Sequence, residues 1–91
     1  MTPKIGPNVA WQIVDGEAII VDLASGNTIG LNPAGTFLWS QIDGGRDDDA
    51  IAAAVVAEFD VSPEVAASDT REFLDTMHAR ALVVDAAEPR T

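Results

Sequence analysis

The feature that most constrains the fold is one run in the middle of the chain, Leu31-Asn32-Pro33-Ala34-Gly35-Thr36-Phe37-Leu38-Trp39-Ser40-Gln41-Ile42-Asp43-Gly44. A strand has to end at Leu31, because Asn32 is a helix-capping residue and Pro33 sits at the first helical position, where its missing N–H costs nothing. Phe37, Leu38, Trp39 and Ile42 then supply a bulky apolar surface. Gly44-Gly45 stops the helix with residues free to turn left-handed. The run predicts a helix over 33–43 and divides the chain, with strand signals before it and helix signals after it.

Upstream, residues 8–14 alternate, with Val9, Trp11 and Ile13 on one side and Ala10, Gln12 and Val14 on the other. Asp15-Gly16 is a strong two-residue hairpin turn, since both positions tolerate positive φ. Residues 17–23 answer as the second strand, with Ile19, Val21 and Leu23 aligned. A turn at 24–27 leads to a short third strand, Thr28-Ile29-Gly30-Leu31. Three strands joined by tight turns make an antiparallel meander with the third at an edge. Trp11 is core or a half-exposed partner anchor, depending on which sheet face the helices cover.

Downstream, Asp47, Asp48 and Asp49 favour the positive end of a second helix, whose buried stripe is Ile51, Val55, Val56 and Phe59. Ser62-Pro63 repeats the cap-and-proline start, and a third helix can run over 63–81. Its core stripe is Ala66, Thr70, Phe73, Leu74, Met77 and Ala81, flanked on one side by Asp69, Glu72, Thr76 and Arg80 and on the other by Arg71, Asp75 and His78. Leu82-Val83-Val84 reads as a short closing strand or a plug. The organisation expected is a flexible arm at 1–7, one domain at 8–84 and a frayed acidic tail at 85–91.

Composition narrows the chemistry. The chain has 91 residues, no cysteine and a single histidine, so thiolate and multi-histidine metal sites are not expected. No serine lies in a nucleophile-elbow context, and the Ala24-Ser25-Gly26-Asn27 turn lacks the spacing of a phosphate loop. Carboxylates are plentiful, but a domain this small has little room for a desolvated cleft that would split their pKa values. Neither an enzyme nor a cofactor is expected. The formal charge of −10, from 15 acids against 5 scattered bases, argues against binding a phosphate backbone. No apolar run reaches the length of a membrane span and the first residues are not a signal peptide, so a cytoplasmic protein is expected, with neither nucleic acid nor membrane as partner.

Leu31-Asn32, Gly35, Leu38-Trp39 and Ile42-Asp43-Gly44 resemble the central "L-N-x-x-G-x-x-[I/L]-W-x-x-[I/L]-x-G" run of the PqqD family. These are the small proteins of pyrroloquinoline quinone biosynthesis and related recognition domains for ribosomally made, modified peptides. Val14-Asp15-Gly16-Glu17, Val21-Asp22-Leu23 and Gly26 resemble the family's first hairpin, and Phe59-Asp60-Val61-Ser62 the end of its second helix. Asp69, Phe73-Leu74 and Ala81-Leu82-Val83 resemble its last helix and exit, so the likeness spans 9–84. Ala81 stands where the family usually has glycine, so the last helix is expected to run on slightly.

The resemblance implies an α+β, winged-helix-like domain, a three-stranded antiparallel meander followed by three α-helices. It implies a non-catalytic peptide chaperone that binds the leader segment of a precursor peptide and presents it to a modifying enzyme, often a radical S-adenosylmethionine enzyme. In the family the leader adds as a strand to the edge of the third strand and packs against the third helix. Here that makes Thr28, Ile29, Gly30 and Leu31 the edge. The wall is expected on Asp69, Glu72, Phe73, Thr76 and Arg80, the stripe beside the core face, with the other flank of Arg71, Asp75 and His78 left open by the sequence. The edge carries no proline or lysine to discourage pairing. The alternatives are a winged-helix regulator or accessory subunit that binds a folded protein, and a monomer or a weak or domain-swapped homodimer.

Overall fold

The computed structural model describes residues 2–86. The elements run β1 (Pro3–Ile5), β2 (Val9–Val14), β3 (Glu17–Asp22), β4 (Thr28–Gly30), α1 (Pro33–Ser40), α2 (Asp48–Glu58), α3 (Pro63–Ala79) and β5 (Val83–Asp85). The fold is α+β: the meander β2-β3-β4 forms one antiparallel sheet, and β1 pairs β5 antiparallel as a separate ribbon. The β2–β3 turn is made by Asp15 at φ 52° and Gly16 at φ 81°, both left-handed as the mirror-image hairpin turn requires.

The three helices start as their caps dictate. Asn32 Oδ1 accepts from the Gly35 N–H at 2.7 Å, Asp47 Oδ1 from Ala50 at 2.8 Å and Ser62 Oγ from Val65 at 3.2 Å. α1 is shorter than the expected 33–43. The Gln41 and Ile42 N–H groups bond to the carbonyls of Leu38 and Trp39, tightening the last turn, and Gly44 follows at φ 82°. The Asp43 carboxylate then accepts from the Gly45 and Arg46 N–H groups. The Gly45 N–H is the largest cause holding its pKa below the ordinary value of 3.8; desolvation opposes it, and the Arg46 N–H and charge assist.

The core joins Ala18 and Ile20 of β3 to Leu38 and Trp39 of α1, Ile51 and Val55 of α2, and Ala66, Leu74 and Met77 of α3. The helices therefore cover the Ala18 and Ile20 face of β3. Ile19 and Val21 point to the other face, and Leu23, beyond the end of β3, is exposed. Trp11 shares a face with its register partner Ile20 and packs edge-on against Trp39, ring centres 6.0 Å apart, while remaining 40% exposed.

Two expectations need correction at the chain ends. Residues 1–7 are not a free arm from Pro3 onward: Pro3 and Ile5 pair with Asp85 and Val83, and Pro3 is buried. The Gly6 N–H donates to the Leu82 carbonyl, and a Cβ at Gly6 would sit 2.8 Å from the Ala81 carbonyl oxygen, so only glycine fits there. The 85–91 tail begins inside β5, and from 87 on it lies outside the described residues.

The last helix does not run on, and Ala81 is not core. α3 stops at Ala79, and exposed Ala81 itself takes φ 60°. The Leu82 N–H bonds back to Met77 and the Ala81 N–H to His78, a complete Schellman ending built around a residue with a Cβ. The burial of Met77 and Leu82 on either side holds the chain in that strained turn.

Candidate functional site

The β4 edge follows from the ladder. Leu31 N–H donates to the Ala18 carbonyl and Asp22 N–H to the Asn27 carbonyl, both 2.9 Å, so 18–31 and 22–27 are hydrogen-bonded pairs. Alternation along an antiparallel ladder makes Ile20–Ile29 another, while Ile19–Gly30 and Val21–Thr28 are non-bonded pairs. The N–H and C=O groups of Thr28 and Gly30 therefore point away from the sheet. Those of Ile29 and Leu31 face β3.

The end of this edge is pinned by Thr36, a buried hydroxyl one turn into α1. Thr36 Oγ1 accepts from the Ala18 N–H at 2.7 Å and donates to the Leu31 carbonyl at 3.4 Å. With the Leu31–Ala18 bond, this closes a small ring that ties β3, the end of β4 and α1 together. Gly35 is also buried here, and a Cβ on it would press on Asn32 Oδ1 at 3.2 Å and Leu31 Cβ at 3.4 Å. The glycine lets the capping side chain and Leu31 close over the helix start.

Beyond Gly30 lies an open cleft of about 420 Å³ between the end of β4, the first turns of α1 and one side of α3. Gly30 and Leu31 line it with Asp69, Glu72, Phe73 and Thr76. Those six of the nine expected site residues thus meet on one cleft. Thr28 and Ile29 lie further back along β4, and Arg80 caps the C-terminus of α3, none of the three lining the cleft. Arg71 and Asp75 line a shallow depression on the outer side of α3 that shares Glu72 and Thr76 with the cleft. His78 faces the ribbon, its Nε2 3.7 Å from Asp85 Oδ1.

Asn32, Ala34, Gly35, Leu38 and Met77 also line the cleft. The central run is thus both scaffold and surface, whereas from the sequence only its first residue, Leu31, is expected at the site. A deeper apolar cavity of about 190 Å³ between the three helices shares Ala34, Leu38 and Asp69 with the cleft. A second opening, of about 450 Å³, lies beside the β2–β3 turn and meets the cleft at Gly30, Leu31 and Asn32. The pieces form a track with a backbone edge on one side, an apolar floor and a helix wall. Such a track suits an extended chain that pairs through its backbone and seats alternate side chains. Among the described residues no group of three or more histidines and carboxylates is placed to hold a metal, and no helix is long and apolar enough to cross a membrane.

The model of the family described as Coenzyme PQQ synthesis protein D (PqqD) matches residues 17–83. Among solved structures, TbiB1 in complex with the TbiA(beta) leader peptide aligns at TM-score 0.84 and 28% identity, over 93% of this chain and 99% of that one. Lasso peptide synthetase B1, complexed with the leader peptide, aligns at TM-score 0.83 over 92% of this chain and 99% of that one; at 15% identity this is a likeness of fold. No curated protein sequence matches the chain.

Proposed function

The chain belongs to the PqqD family, and from that premise we infer that it is a recognition module for ribosomally made precursor peptides. It binds the leader segment as an added strand on the β4 edge, packed against α3, and presents the precursor to a modifying enzyme. The role is binding, with the chemistry left to the partner. The observation that carries this reading is the outward N–H and C=O pair of Gly30 at the mouth of a cleft walled by α3. The likeness to TbiB1, solved with a leader peptide, supports it. These comparisons do not favour a regulator or accessory subunit for a folded protein.

Physically, strand addition supplies affinity through main-chain hydrogen bonds, and the cleft supplies selection through side chains. A docking strand would reach the outward groups of Thr28 and Gly30. Its side chains on the helix-facing side would meet Leu31, Leu38 and Phe73. The test is titration of the purified protein with leader peptides of precursors encoded beside its gene. Binding tighter than about 100 μM is expected. Weaker binding to every such peptide would contradict the reading.

A further inference from the structure

We propose that the peptide taken by this track is cationic: the segment that docks carries lysine or arginine flanking its apolar anchor. The inference rests on the leader-binding reading and adds the chemistry of the ligand. The cleft beside α3 carries the carboxylates of Asp69 and Glu72, and the opening it meets at Gly30, Leu31 and Asn32 carries those of Asp15 and Glu17. Neither is lined by a lysine or arginine. Among the described residues none of the four is ion-paired; Arg46 pairs with Asp43 and His78 with Asp85. Arg71 lines the neighbouring depression, which shares Glu72 and Thr76 with the cleft, so one positive charge adjoins the outer rim. The N-terminus of α1 adds roughly half a charge, and Asn32 already accepts its Gly35 N–H.

An extended peptide between the β2–β3 turn and α3 therefore passes carboxylates on both sides. Its apolar anchor meets the floor, and its neighbours meet the rim. All four carboxylates are exposed, so each contact is individually weak and screened by salt. Acting together on one strand they select by charge: a basic flank gains attraction, and an acidic flank meets like charge on either side.

The test is selection of a displayed random 12-residue peptide library on the full chain, followed by synthesis of the consensus peptide. Lysine and arginine should be enriched at fixed distances from an apolar residue. The consensus should bind about tenfold more weakly at 0.5 M than at 0.05 M salt. The double variant Asp69→Asn, Glu72→Gln should lose the enrichment and bind the consensus about five- to tenfold more weakly. Binders that depend on the β4 edge, being lost in Gly30→Pro, but carry neutral or acidic flanks and bind the double variant unchanged, would overturn the charge inference and leave leader docking standing. Binders indifferent to Gly30→Pro would overturn both.

Discussion

β2 and β4, the two edges of one sheet, both present outward N–H and C=O groups. The register and the Leu23–Asn8 bond turn Val9, Trp11 and Ile13 outward on β2, as Thr28 and Gly30 are on β4. By length β2 is the better template, with six residues against three and neither proline nor a charge. Yet β2 packs mainly on β3 and reaches a helix through the ring of Trp11 on Trp39, while Ile13 is 51% exposed. β4 ends beside α3 at a walled cleft. An open edge supplies hydrogen bonds to any strand, whereas a wall adds buried apolar contact and side-chain choice. That difference is the reason we propose peptide docking on the shorter edge.

The largest expected effect separates inward from outward positions within β4. Ile29→Pro removes a ladder N–H and should cost roughly 2–4 kcal/mol of stability by denaturant titration. Gly30→Pro removes an outward N–H, which an edge strand tolerates, so its circular dichroism and melting should stay native. Leader affinity should nevertheless fall by about 30-fold, from a lost hydrogen bond and a ring in the path of the added strand. Equal destabilisation by both prolines would contradict the ladder assignment.

The next contrast sets one edge against the other. Ile13→Pro removes an outward N–H on β2 and should leave leader affinity within about twofold of wild type by fluorescence anisotropy. If it weakens binding as much as Gly30→Pro does, docking on β4 is wrong. Thr36→Val tests the anchoring of the β4 end: the buried Ala18 N–H loses its acceptor, at a cost of about 1–3 kcal/mol. A stability loss below about 0.5 kcal/mol would show that the ring at Leu31, Ala18 and Thr36 does not hold that edge.

The smallest effect should touch neither edge. Ala81→Gly relieves a left-handed residue and should raise stability by about 0.5–1 kcal/mol, with leader binding unchanged. A loss of stability would mean that the Ala81 methyl group packs in a way that its exposure does not suggest.

What was legible in the sequence is what is local. Asp15-Gly16, Asn32-Pro33, Ser62-Pro63 and the spacing of Ile51, Val55, Phe73 and Leu74 act within a few residues, and each appears in the structure close to where its chemistry put it. The β1–β5 ribbon was not legible, because three-residue strands at opposite ends of the chain carry no local pairing signal. Nor was the ending of α3 at Ala81, where burial of Met77 and Leu82 overrides the preference for glycine. In the candidate site, side-chain spacing on α3 brought out Asp69, Glu72, Phe73 and Thr76. Arg80, on the same stripe, ends up at the helix terminus, where the stripe has run past the cleft. The separation of Thr28 and Gly30 from Ile29 depends on which ladder bonds form. Thr36 is one more small polar residue in a helix until its partner Ala18 is brought beside it.

The measurement that bears most directly on the central claim is residue-resolved amide hydrogen exchange, read by NMR with and without the leader peptide. The Thr28 and Gly30 amides should be fast in the free protein and slow by at least about tenfold when the peptide pairs with them. The outward amides of Val9, Trp11 and Ile13 should be unchanged. Protection that appears on Val9, Trp11 and Ile13 while Thr28 and Gly30 stay fast would place the peptide on the other edge and contradict the account.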